Sequence, residues 1–105
     1  MSKTYKLRFL PTFNDDLDKI LDYITVTLHN PVAAENLLAD IESVVESRCT
    51  CADAFEVFRT SNLAKQNYYI IYVKNYMIFY VLIDDVMEVR RILYSHRNWI
   101  GSNFL

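Results

Sequence analysis

Apolar positions along this chain fall into two rhythms. From Phe13 through Leu17, Ile20, Leu21 and Ile24 to Leu28 they recur three or four residues apart, with Asp18, Lys19, Asp22 and Thr25 between them. At about 3.6 residues per turn such positions share one face, so the spacing predicts an amphipathic helix to about His29. Thr12 is the expected N-cap, with Asp15 and Asp16 complementing the positive end of the helix dipole. Asn30-Pro31 reads as a stop and a new start: asparagine caps, and proline suits a first helical position whose N–H would be unpaired anyway. Ala34, Leu37, Leu38, Ile41, Val44 and Val45 make a second stripe, opposite Glu35, Asp40, Glu42 and Glu46. So short a connection predicts antiparallel neighbours, a helical hairpin.

The second rhythm has period two. Tyr5, Leu7 and Phe9 alternate with Lys6 and Arg8, the pattern of a half-buried strand that Pro11 ends. After residue 67 come three Tyr/Ile/Val-rich runs, at about 68–73, 76–83 and 86–95, broken at Lys74-Asn75 and Asp84-Asp85. Breaks that short predict hairpins, and Asn and Asp tolerate the left-handed geometry of tight turns. Between Cys49 and Gln66 no period is clear; Phe55, Val57 and Phe58 are expected beneath the sheet or in a short extra strand. The order is β-α-α-β-β-β. It predicts an α+β fold in which an N-terminal helical hairpin packs on a small antiparallel sheet, as one domain over residues 1–105.

Composition adds restrictions. An apolar fraction of 52% against 23% charged residues makes a folded domain the expectation and argues against disorder. The start, MSKTYKLRF, lacks the apolar region of a signal peptide and no run reaches the length of a membrane span, so a cytoplasmic location is expected. Cys49 and Cys51 have no second Cys or His pair to complete a metal site, and no metal or cofactor is expected. Charge is uneven. Residues 1–58 hold five Lys/Arg against ten Asp/Glu, whereas 59–105 hold six against three. A chain of net charge −2 is a poor generic nucleic-acid binder, and its cationic part is local.

Four stretches, in order, carry a resemblance to a known family: FLPTFNDDLDKILDYI, NPVAAENLLADIESVVES, KNYMIFYVL and EVRRILYSHRNW. Together they resemble toxins of the RelE/ParE superfamily, from bacterial type II toxin–antitoxin systems. The resemblance implies a toxin that inhibits growth and is held inactive in a hetero-oligomer by a cognate antitoxin. It implies one of two activities. RelE-like members are metal-independent, ribosome-dependent mRNA endoribonucleases, whereas ParE-like members share the fold and poison DNA gyrase. A third reading is an inactive relative that acts only as a binding partner. An apolar groove beside the sheet, lined by Tyr residues, is the expected antitoxin surface, engaged by strand addition or a bound helix.

The end of the last strand holds the residues that decide between these. Attack of an RNA 2′-OH needs a base, an acid for the leaving oxygen, and cations for the charge growing on the phosphate. In a nuclease, His96, Arg97 and Tyr94 are the candidate catalytic residues, with Arg90, Arg91 and Trp99 as candidate substrate contacts. Arg97 matches a family position at which a basic residue contacts the scissile phosphate. Arg90 and Arg91, being adjacent on a strand, point to opposite faces, so only one of them can join a single site. Plainer readings stand beside these: His96 as a surface histidine, Arg90 or Arg91 in a solvated ion pair with Glu88, Asp84 or Asp85, and Trp99 as a clamp on the chain end. Two positions depart from the RelE-like pattern, since Met77 and Tyr69 stand where arginines are usual. Both departures resemble the ParE side, and the reading leans there.

Overall fold

Strand β1, Lys6–Phe9, runs into helix α1, Pro11–Asp22, in the computed structural model, which describes residues 3–55, 57 and 67–95. Pro11 takes the first helical position, and Leu10, with extended backbone and no side-chain cap, is the N-cap. This corrects the expectation for Thr12: the fixed φ of Pro11 places the helix start one residue earlier. Asp15 and Asp16 accordingly lie beyond the first turn, which holds no acidic residue.

The helix widens into a π-helical stretch, Tyr23–Thr27, with Leu28 N–H bonded to Tyr23 C=O (3.1 Å). His29 then takes φ 51° and turns the chain out of the helix. Helix α2, Pro31–Arg48, starts as expected, with Asn30 Oδ1 accepting from Ala33 N–H (3.1 Å). Ala34, Leu37, Ile41 and Val45 form its buried stripe.

Strands β2 (Tyr69–Val73), β3 (Tyr76–Ile83) and β4 (Val86–Tyr94) form an antiparallel meander in the sheet order β1-β4-β3-β2. The expected wholly antiparallel sheet is corrected at one edge. β1 pairs with β4 in parallel, Lys6 opposite Val86 and Phe9 opposite Val89. A parallel neighbour needs a long crossover, and here both helices and two strands intervene between the pair. In the hairpin turns Lys74 (φ 50°) and Asp84 (φ 54°) take the left-handed conformation, so in the first turn it is Lys74 rather than Asn75.

The helices cover one face of the sheet. Phe13, Leu37, Ile41 and Val45 meet Ile71, Ile78, Tyr80, Met87, Val89 and Ile92 there in one buried cluster. The other face carries a second buried cluster of Tyr68, Met77, Phe79, Val81 and Leu93. Burial on both sides explains why β3 reads YMIFYVLI, an unbroken apolar run instead of an alternation.

One knot ties the end of α2 to this core. Tyr80 Oη donates to Ala52 C=O (2.7 Å) and accepts from Arg48 Nη1 (3.0 Å). The Arg48 guanidinium lies 3.4 Å from the centre of the Phe55 ring. Phe55 is thus half-exposed over Arg48 and lies in no strand, contrary to expectation; Val57 lies in no element, and Phe58 is outside the described residues. Tyr80→Phe strands a buried carbonyl, and we expect a loss of about 1–2 kcal/mol in urea unfolding. An unchanged midpoint would mean that water replaces the hydroxyl at no cost.

Candidate functional site

β4 is where the cationic residues gather, and its register breaks there. Phe79 pairs with Arg91 while the next residue, Tyr80, pairs with Val89, so Arg90 is the extra residue of a β-bulge. The bulge lies against α1. Thr12 Oγ1 donates to Arg90 C=O (2.8 Å), and Asp16 Oδ2 accepts from Ile92 N–H (3.2 Å). Being four residues apart, Thr12 and Asp16 share one face of α1 and supply the partners that a broken ladder lacks. Asp16 also receives Arg91 in a two-pronged pair, Nε to Oδ2 at 2.6 Å and Nη2 to Oδ1 at 2.9 Å.

Arg90 takes different partners. Its Nε meets Glu88 Oε2 (2.8 Å), and its Nη1 donates to Tyr68 Oη (3.1 Å). Glu88 Oε1 receives Arg8 from β1 through Nε (3.0 Å) and Nη2 (2.7 Å). The pairing of Arg90 with Glu88 was among the expectations, but not as a solvated pair: Glu88 is buried, 6% exposed. Burial pushes its carboxyl pKa up; hydrogen bonds and charges from Arg90 and Arg8 outweigh this and hold it below the usual glutamate range.

The expected opposite faces are not kept: the bulge sets Arg91 opposite Phe79 of the second cluster, the face on which Arg90 meets Tyr68, and a separate carboxylate holds each guanidinium. Tyr94 is half-exposed, with its ring edge-on to Tyr76 (5.7 Å between centroids). His96, Arg97 and Trp99 lie outside the described residues. Met77 sits at 2% exposure in the second apolar cluster, and Tyr69 stacks on Tyr80 at 5.1 Å; neither position brings a cation to β2 or β3. Among the described residues no three His, Cys, Asp or Glu side chains group as metal ligands, and burial, followed by the nearby Glu46 charge, pushes the Cys49 thiol pKa up.

A second feature lies at the opposite edge from β2. Leu7 and Phe9, expected to be half-buried, stand 36% and 41% exposed and form one wall of an apolar groove of about 240 Å³. Its other walls come from Phe13 and Leu17 of α1 and from Leu38, Ile41 and Val45 of α2, with Glu42 and Glu46 at the rim. The groove is lined by Leu, Ile, Val and Phe, where Tyr was expected. The backbone beside it has a side turned away from β4. Lys6 N–H bonds Asp85 C=O (2.8 Å) and Leu10 N–H bonds Val89 C=O (2.9 Å), so the even residues of this segment face β4. In a parallel pair alternate residues face alternate sides, which turns the peptide groups of Leu7 and Phe9 to the outer edge. Tyr5 N–H, on that same side, is taken by Cys49 C=O (2.9 Å).

Tyr23, Val26, Leu28 and Val32, around the turn of the helical hairpin, are a third group of apolar side chains, each more than half exposed. No helix among the described residues is long and apolar enough to cross a membrane.

Residues 7–99 match the family model described as the ParE toxin of type II toxin–antitoxin system, parDE. No protein of curated function matches the chain in sequence. Among solved structures, the chain is similar to one described as the chromosomal ParDE toxin–antitoxin system from P. aeruginosa, at 19% identity and TM-score 0.71, covering 89% of this chain and 98% of that one. It is also similar to YafQ from E. coli strain BL21(DE3), at 15% identity and TM-score 0.53, covering 92% and 99%. At such identities the likeness is one of fold, two helices on a four-stranded mixed sheet.

Proposed function

We propose, since the chain belongs to the ParE toxin family of type II toxin–antitoxin systems, that it is a ParE-like toxin that stops growth through DNA gyrase and does not cut mRNA. The observation that carries this reading is that Arg90 and Arg91 are each engaged by a carboxylate of their own. Cleavage of a phosphodiester without metal needs unspent positive charge converging on one phosphate. These two guanidiniums are each bonded to a separate carboxylate, Glu88 and Asp16, and Met77 and Tyr69 supply none. The exposed apolar turn of the helical hairpin, around Tyr23, Val26, Leu28 and Val32, is the surface we assign to the target. Membership of the family brings an antitoxin partner, and we assign it the groove beside β1. The outward peptide groups of Leu7 and Phe9 favour strand addition over a bound helix as its mode.

Induced expression without antitoxin, with pulse labelling of DNA and protein synthesis, tests the reading. We expect arrested DNA synthesis and filamentation with translation initially intact, unchanged in His96→Ala and Arg97→Ala. A prompt fall in translation that either substitution abolishes would establish the RelE-like activity instead. Absence of any arrest, with the protein accumulating, would mark an inactive relative.

A further inference from the structure

The groove has a charge as well as a shape. Over residues 11–48 the helical hairpin carries eight carboxylates, Asp15, Asp16, Asp18, Asp22, Glu35, Asp40, Glu42 and Glu46, against two cations, Lys19 and Arg48. Of the cations, Arg48 is turned onto Tyr80 and Phe55. Of the carboxylates, Asp16 is spent on Arg91 and Asp40 on Lys74 (3.1 Å). Glu42 and Glu46 are different. They are exposed, four residues apart on one face of α2 at the groove's rim, and make no ion pair among the described residues. On β1, which forms the facing wall, Lys6 is paired with Asp85 (3.4 Å) and Arg8 with Glu88 (2.7 Å), so neither β1 cation is available to answer them.

A segment lying in this groove must cover the apolar wall of Leu7, Phe9 and Leu38 while passing the Glu42 and Glu46 carboxylates. An acidic segment would bring like charges to within a few ångströms of them, and juxtaposed like charges oppose binding. Resting on the toxin–antitoxin reading above, we propose that the antitoxin segment that fills the groove is basic. Its apolar side chains meet Leu7, Phe9 and Leu38, and Lys or Arg side chains flank them against Glu42 and Glu46. The electrostatic polarity of the complex at this edge is then toxin negative, antitoxin positive, and it sets partner choice: an antitoxin built for a cationic groove is repelled here.

The test uses the antitoxin that co-purifies with the tagged chain from its own host, separated under denaturant, refolded and titrated between about 50 and 500 mM salt, a range over which rim charges are progressively screened. Three forms of the full chain are compared: wild type, the double variant E42Q/E46Q, and Leu7→Arg. Removing two rim charges should weaken binding about tenfold at low salt, mostly through the association rate, and flatten its salt dependence. Leu7→Arg should weaken binding at every salt concentration. An E42Q/E46Q complex as tight as wild type, or tighter, overturns the basic-segment proposal while Leu7→Arg still reports on the groove. Binding indifferent to Leu7→Arg removes the groove as the antitoxin's seat and takes the docking reading down with it.

Discussion

Asp16→Ala is expected to destabilise the fold by about 2 kcal/mol, because it removes a part-buried two-pronged ion pair together with the acceptor of a backbone N–H. The carboxylate does three things at once. It takes both prongs of Arg91, and it accepts Ile92 N–H, just past the bulge in β4. Its side chain is 14% exposed and that of Arg91 29%, so water replaces neither interaction fully. Asp16→Asn keeps an acceptor for the backbone N–H and loses the charge, and should fall between alanine and wild type. Thr12→Val removes only the bond to Arg90 C=O and should cost about 1 kcal/mol. Because both side chains serve one bulge, the double variant should deviate from additivity, which urea unfolding of the four forms would measure. A strictly additive result with a small Asp16 term would mean that the bulge is held by the strands alone.

The second large effect depends on pH. Glu88 sits between Arg90 and Arg8 with its carboxyl pKa depressed, so its contribution is fully present above the unfolded glutamate value of about 4.3 and is lost as pH falls through the folded value. Stability should therefore drop below about pH 4.3 with a component that Glu88→Gln removes. At pH 7 we expect Glu88→Gln to cost about 2 kcal/mol, most of it at Arg90, whose side chain is 22% exposed. Arg8, half-exposed, is screened by water, and Arg8→Ala should cost below about 1 kcal/mol. Unfolding midpoints recorded from pH 7 to 3 decide the matter. Wild-type and Glu88→Gln curves that stay parallel would place the acid sensitivity elsewhere.

Local pattern made most of the architecture legible in advance. Helical spacing over Phe13–Leu28 and Ala34–Val45, the Asn30-Pro31 start, and the Lys74-Asn75 and Asp84-Asp85 breaks are short-range signals, and short-range physics decides those features. Non-local choices were not legible. Whether Lys6–Phe9 pairs, and in which direction, depends on where the chain returns about eighty residues later, and nothing within KLRF encodes that. The cap at Thr12 failed because Pro11 was read only as the end of a strand. The bulge did leave a trace. Met87 and Val89 set an inward alternation that should continue at residue 91, yet an arginine stands there and Ile92 is the buried neighbour. A broken alternation beside a pair of arginines was the sign that the strand changes phase. The same break explains why Asp16, read as a helix-dipole residue, turns out to anchor β4.

The outer edge of β1 has a consequence for the toxin alone. Peptide groups without a backbone partner among the described residues, flanked by exposed Leu7 and Phe9, are a template for any extended chain, including a second copy of this one. Two properties restrain that self-association. The strand has only four residues, and half of them, Lys6 and Arg8, are cationic, so two copies set edge to edge bring like charges together. On the docking proposed above, the antitoxin has a second role: it shields an edge of the fold that invites aggregation.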